Sequence, residues 1–279
     1  MRTRRATRAP SPPGLGERRD HTDAPDASTL APGLRLLPPG ARSDVYRLYD
    51  VLRTIDDLVD EDKPEAEQRV DAVERWARNE TADTPETHVL SELSQRHALP
   101  PEALLEFCQG MRHDIKRAEI KTEDDLERYG QRAGGSVGIM LAHVLGSRSP
   151  DGAEKMAALG RAMQRTNILR DIDEDLAHGR VYIATSTIEH FGAPIPGART
   201  ELLRDQIARA DDLYEQATEG IALLERGRRG MALCTTLYRE ILRQIEREGY
   251  GRTPGRVTVP AWRRDLLIAR HRVSFKTTA

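Results

Sequence analysis

Apolar side chains return every three or four positions through most of this chain. Val45, Leu48, Leu52, Ile55 and Val59 form one such stripe, the period of a helix with one buried face. Beyond Pro39 the pattern is helical almost throughout. Further helices are predicted over residues 65–79, 86–97, 101–118, 123–146, 151–177, 199–226, 230–249 and 260–272. The breaks fall where the backbone chemistry demands them: Lys63-Pro64, Pro100-Pro101, Ser149-Pro150 and the run Ala193-Pro194-Ile195-Pro196-Gly197. No stretch alternates apolar and polar residues as a strand would, and no internal repeat is evident. The pattern predicts one all-α domain, a helical bundle over residues 31–275.

The polar positions carry the chemistry. On the first helix Tyr49, Arg53, Asp56 and Asp60 step by four, three and four, a line running beside the apolar stripe and so facing a cavity rim. Asp57 and Glu61 sit one position round. Far along the chain Gln164, Asn167, Asp171 and Asp175 step by three, four and four on one helix face, with Arg170 alongside. Like charges at that spacing cost about 0.2–0.5 kcal/mol per pair if left alone. Asp171, Asp173, Glu174 and Asp175 also come just before Gly179, a predicted helix end, where negative charge opposes the helix dipole by about 0.3–1 kcal/mol each. A plain surface helix gains nothing from this. Amide and carboxylate oxygens are what a hard divalent cation such as magnesium takes, usually sharing it with substrate phosphates, and arginine grips a pair of phosphate oxygens. The alternative for either line alone is a solvated face with local arginine partners.

Tyr129-Gly130-Gln131-Arg132-Ala133-Gly134-Gly135-Ser136-Val137-Gly138 interrupts an otherwise helical segment. Interior glycines cost about 1 kcal/mol each relative to alanine, so their clustering predicts a kink where a ligand or another backbone comes close. A tight helix crossing satisfies the same pattern. Asp114 could lie near the cavity, though taken alone it reads as a surface or capping residue, and Tyr238 reads as core or functional with equal ease. Lys and Arg (43) nearly balance Asp and Glu (45), so no overall field favours nucleic acid. Cys108 and Cys234 lie far apart and read as buried thiols of a reduced, cytoplasmic protein. No apolar run approaches the ~20 residues of a membrane span. No P-loop and no dinucleotide fingerprint is present. Residues 1–30, with six arginines and four prolines, read as a disordered basic tail.

These residues resemble a known family. Arg53-x-x-Asp56-x-x-x-Asp60 and Asn167-Ile168-Leu169-Arg170-Asp171-x-x-x-Asp175, followed by Gly179-Arg180-Val181-Tyr182, look like the two aspartate motifs of squalene and phytoene synthases. The Tyr129–Gly138 run is similar to their Y-x-x-x-A-G-x-V-G helix. Leu36-Leu37-Pro38, Gly110-Met111-Arg112-His113-Asp114, Leu237-Tyr238-Arg239-Glu240-Ile241-Leu242 and Tyr250…Arg256-Val257-Thr258-Val259-Pro260 follow in order. The resemblance covers about residues 34–270.

It implies a helical isoprenoid-synthase fold around a central cavity. Asp56, Asp60, Asn167, Asp171 and Asp175 would hold two or three magnesium ions on substrate diphosphates. Arg53, Gln164, Arg170 and Arg256 would line the diphosphate site, and Tyr49, Arg53, Tyr129, Arg170 and Tyr238 would assist ionisation. The activity implied is head-to-head condensation of two prenyl diphosphates, C15 or C20. Participation of NADPH in a reductive second step stays open, as does the oligomeric state. Lipid-like substrates suggest transient, peripheral contact with a membrane.

The chain departs from the family in several places. Residues 26–33 lack the basic and aromatic residues usual there, and Pro32-Gly33 is expected to break the helix. Gln131 replaces a frequent second tyrosine, Asp50 replaces a small apolar residue, and Ile183-Ala184 stands where Leu-Pro is common. Aromatics are only 4%. The altered N-terminal segment keeps an alternative open: a terpene synthase or cyclase using one prenyl diphosphate on the same scaffold.

Overall fold

The computed structural model describes residues 28–149 and 151–274, so the basic tail lies outside the described residues up to position 27. Twelve α-helices run in order: α1 (Ala31–Leu34), α2 (Pro39–Asp60), α3 (Ala66–Ala77), α4 (Pro85–His97), α5 (Pro101–Ile115), α6 (Glu123–Gly130), α7 (Ser136–Leu145), α8 (Gly152–Ala177), α9 (Thr185–Phe191), α10 (Thr200–Leu223), α11 (Arg228–Arg247) and α12 (Ala261–Ser274). Among the described residues there is no strand, only an isolated bridge between Ser147 and Leu224. The periodic stripe of α2 is buried as its spacing requires, from Val45 through Ile55 to Val59.

Helix α8 is the axis of the bundle. Met156, Ala157, Ala158, Leu159, Ala162, Ile168, Leu169 and Ile172 are buried around much of its circumference, as befits a helix with neighbours on several sides. It packs against α10, α7, α11 and α6. Helix α7 lies between α8, α5 and α2. Even so, Val137 and Leu141, one turn apart on α7, stay only partly buried.

Two expectations change on inspection. Pro32 and Gly33 do not break the helix: both lie within α1. Proline is compatible with a first turn, whose N–H groups lack intrahelical partners anyway, and Gly33 packs flat on α11, where a Cβ would overlap the Cys234 sulfur and come 2.6 Å from the Gly230 carbonyl. The single helix expected over 123–146 is α6 and α7 joined by a π-helical turn, Gln131–Gly135. The glycines there are a helix crossing. Gly134 and Gly160 of α8 meet backbone to backbone, so that a Cβ on either would overlap the other's carbonyl oxygen. Gly138 meets the Met156 carbonyl in the same way.

The crossing sets the register of α8 against α6, because Gln164 follows Gly160 by one turn. Gly134→Ala is expected to cost about 1–3 kcal/mol by overpacking and lower the melting temperature by several degrees. Gly130→Ala, whose Cβ would find only the Arg161 chain at 4.0 Å, should be neutral or stabilising by up to ~1 kcal/mol. Thermal melts of the two variants side by side check this.

Candidate active site

Both acidic lines end at helix C-termini of the same construction. At α8, Gly179 takes a left-handed φ of +71°. Its N–H reaches the Leu176 carbonyl at 3.0 Å, and the Arg180 N–H reaches the Asp175 carbonyl at 2.8 Å. This is a Schellman closure. At α2, Asp62 takes the left-handed position with φ +51°, and the Lys63 N–H bonds the Leu58 carbonyl at 2.9 Å. The closure of α8 turns Arg180 toward the end of α2. Arg180 then donates to the Asp60 carboxylate at 2.7 Å and to the Val59 carbonyl at 3.3 Å. The two acidic faces are thus joined by one guanidinium, and the Asp60 charge is felt at Asp175.

From that joint the sequence-predicted residues close into a ring. Arg53 is taken up by Asp57, with contacts of 3.0 and 2.8 Å, which leaves Asp56 3.8 Å from its guanidinium. Asp171 accepts from Arg170 at 2.8 and 2.6 Å and lies 3.5 Å from Arg256. Arg256 also donates to Glu174 at 3.1 Å. The Tyr238 hydroxyl donates to the Asn167 side-chain carbonyl at 2.8 Å, and its oxygen is near enough to Tyr49 to raise that phenol after burial does so. Gln164 donates to the Tyr129 hydroxyl at 3.4 Å. All twelve predicted positions belong to one connected arrangement contributed by α2, α6, α8, α11 and the segment before α12.

The ring is completed by residues the sequence reading passed over. Asp114, taken for a surface or capping residue, is only 7% exposed. It accepts from the Tyr129 hydroxyl at 3.1 Å and the Tyr182 hydroxyl at 2.9 Å. The two tyrosine rings stack with centroids 5.3 Å apart. Arg180 and Tyr182 stand in the segment after the second acidic line, and that position was the signal available for them. Asp173 points away from the ring to Arg199, with paired contacts of 2.7 Å, and accepts the Gly255 N–H at 2.7 Å. Burial pushes the Asp173 carboxyl up, but these partners outweigh it and hold the group below its ordinary value. This anchor fixes the strap that carries Arg256 across the end of α8.

The electrostatics leave a deficit of positive charge. Burial and then the neighbouring Asp60 push Asp56 up to about 7, against the opposing pull of Arg53. Asp56 is nevertheless reachable by solvent, with 42% of its side chain accessible. Burial, then Asp171 and Asp60, push Asp175 up to about 7 as well. Burial does the same to Asp114, beyond what its two tyrosine hydrogen bonds offset. Among the described residues no three acidic, histidine or cysteine side chains converge to hold a metal by themselves. The donors are carboxylate and amide oxygens in twos, on opposed helices, with the charge poorly matched by the arginines. That donor set fits magnesium, which keeps several waters and shares one or two carboxylates with substrate phosphates.

The raised carboxyls make a prediction with a definite sign. A group whose folded value lies above its unfolded value binds more protons when folded, so its contribution is complete at low pH and is lost as pH climbs to about 7. With divalent ions chelated, the melting temperature should fall as pH rises from about 5 to about 7.5. Added magnesium should restore it at the upper end, and Asp114→Asn should flatten part of the slope. Thermal melts across that range, with chelator and with magnesium, measure all three.

Comparison with known proteins bears on the same residues. The squalene/phytoene synthase family model matches residues 26–263. The 15-cis-phytoene synthase of Synechococcus elongatus is 32% identical over 266 residues, covering 85% of this chain and 86% of its own. The presqualene diphosphate synthase of Sinorhizobium fredii is 33% identical over 182 residues, covering 62% and 64%. A crystal structure of a dehydrosqualene synthase in complex with ligand superposes with a TM-score of 0.79 at 26% identity, covering 89% of this chain and 92% of that one. The matched span takes in both acidic lines, the glycine crossing and the Arg256 strap, and the chain belongs to the squalene/phytoene synthase family.

Proposed function

We propose that this protein is a prenyltransferase that condenses two prenyl diphosphates head to head, with loss of pyrophosphate. The observation that carries the reading is the meeting of two acidic helix faces, bridged by Arg180 and lined by Arg53, Arg170 and Arg256. Asp56, Asp60, Asn167, Asp171 and Asp175 would hold magnesium, two or three ions in all, which when bound neutralises the diphosphate and makes it a better leaving group.

The chain's own residues then have distinct tasks. Arg53, Arg170 and Arg256, with Gln164 beside them, orient the diphosphate oxygens and take up negative charge as the allylic C–O bond breaks and its electron pair stays with the phosphate. Tyr49 and Tyr238 stand at the α2–α11 side of the ring, where a phenol can donate to the departing oxygen. The electron pair of the second substrate's 2,3-double bond attacks the allylic carbon, and loss of a proton closes a cyclopropane. Pyrophosphate is the base best placed to take that proton. Val137 and Leu141 line a wall that keeps water from the cation, since water would quench it. The substrates are C15 or C20 chains. A second, reductive step would need NADPH supplied from solution. Substrates of this kind bring the enzyme to membranes transiently, as a peripheral protein. The basic segment 1–30 is proposed to be a tail outside the 31–275 catalytic domain.

The alternative with a single diphosphate drew on the altered N-terminal segment. Helix α1 accommodates Pro32-Gly33, while the basic and aromatic residues usual before it are still missing from residues 26–33. Incubation with C10, C15 and C20 diphosphates and magnesium, with and without NADPH, is expected to give a product with twice the substrate's carbon number. A product of unchanged carbon number would replace condensation by cyclisation. Asp56→Asn should lower turnover by about 10²–10³-fold or more while helical circular dichroism is unchanged. Undiminished turnover in that variant would end the reading.

A further inference from the structure

Helix α12 is attached to the bundle by one face only. On a helical projection, at 100° per residue, Leu267, Ile268 and His271 lie on the side toward the protein. These three are partly buried, and His271 bonds the Arg229 carbonyl at 2.9 Å. The opposite side carries Trp262, Leu266, Ala269 and Val273, spaced four, three and four. Trp262 is 64% exposed, Leu266 44% and Val273 66%. These are three of the five large apolar side chains that stand exposed among the described residues. The apolar stripe of this helix therefore faces away from the core, the reverse of what a bundle helix needs.

Charge flanks the stripe. Arg270 borders one side and Arg272 the other, both exposed; Arg263 is partly buried and held 3.2 Å from Glu240 of α11, and Asp265 is the single acid between Ala261 and Ser274. Four arginines against one aspartate make this 14-residue helix net +3 with His271 neutral, in a chain of net −2. The Arg263 guanidinium lies over the indole, 5.2 Å from the Trp262 ring centroid. Tryptophan and leucine outward with arginines along the margins is the pattern of a helix lying in a lipid interface, where arginine stems cover apolar surface and their heads stay with anionic phosphates.

We infer that α12 seats the protein on an anionic lipid surface, with Trp262 and Leu266 entering the acyl boundary and the flanking arginines meeting phosphate headgroups. A second copy of this chain is a poorer occupant, because a two-fold contact would bring +3 against +3. Only four residues stand between Arg256 and Ala261, five steps of chain and so at most ~18 Å, and docking here holds the diphosphate strap close to the surface that carries the lipid. This last point rests on the proposed prenyl substrates; the docking itself does not.

The test uses the full chain without substrate. Flotation with phosphatidylcholine vesicles and with mixed phosphatidylcholine–phosphatidylglycerol vesicles should show the protein on the anionic ones only, with a blue shift of tryptophan fluorescence. Trp262→Ser with Leu266→Ser, and separately Arg270→Glu with Arg272→Glu, should each weaken partitioning about tenfold or more. Melting temperature and turnover of dispersed substrate should stay unchanged. Failure of the unaltered protein to float, or equal flotation of both double variants, overturns the inference. So does a dimer in lipid-free solution, or binding of an acidic polypeptide in place of vesicles, that is lost in the Trp262→Ser, Leu266→Ser variant.

Discussion

Repulsion between carboxylates held face to face is the constraint around which this molecule is organised. Asp56 and Asp60 on α2 look across at Asp171 and Asp175 on α8, and Asp114 adds a further acid from α5. Asp56, Asp114 and Asp175 are each raised by burial and, after it, by at least one neighbouring carboxylate. Left alone, such an arrangement pushes its helices apart. It is held by Arg180 tying Asp60 to the end of α8, by Arg256 drawn in over Asp171 and Glu174, and by the tyrosine pair on Asp114. Buried groups of this kind are seldom kept for stability, since an apolar packing of equal volume is usually no worse. Their retention in two places at once is the mark of a site whose missing counter-charge arrives with the substrate.

Packing supplies the rigidity that the charges oppose. The bare backbones of Gly134 and Gly160 lock α8 against the π-helical turn, and a π turn displaces the residues after it relative to a continuous α-helix. Tyr129 just before the turn meets Gln164 just after the crossing. Asp114, bonded to the same tyrosine, is thereby set relative to both acidic lines. On the other side the Asp173–Arg199 pair fixes the strap at Gly255, one residue before Arg256. The position of each cationic group thus traces back to a backbone feature, either a close glycine crossing or a capped helix end.

Much of this was legible before any coordinates. The 3.6-residue period located α2 through α8, with α6 and α7 as one segment, and α10 through α12; most of these bury one face continuously, whereas α8 is covered on several sides and α12 turns its apolar stripe outward. The steps of three and four brought Tyr49, Arg53, Asp56 and Asp60 onto one line, and Gln164, Asn167, Asp171 and Asp175 onto another. What escaped depends on long-range pairing. Asp114 has no local partner to betray it; its tyrosines are 15 and 68 residues away. Helices α1 and α9 have four and seven residues, too short for a period to show. Pro32-Gly33 was misread because a breaker rule describes helix interiors, whereas α1 is all first turn and is held from outside by α11. The outward stripe of α12 was visible as a period but not as a direction, since periodicity shows that a helix has two faces without showing which one meets the core.

The resting ion pairs also explain why the site need not reorganise its backbone to bind. Asp60 and Asp171 are now occupied by Arg180, Arg170 and Arg256. In the proposed function a diphosphate bound with divalent cations would offer each partner a better match: the carboxylates would hold metal and the guanidiniums phosphate, where a bidentate fit is equally good. Every charge keeps a partner throughout, so the exchange needs only side-chain rotation. Asp56 stands 3.8 Å from Arg53 and, like Asp175, is raised to about 7; in the proposed function these are the positions where a bound metal would gain most, and proton release from them would accompany its binding.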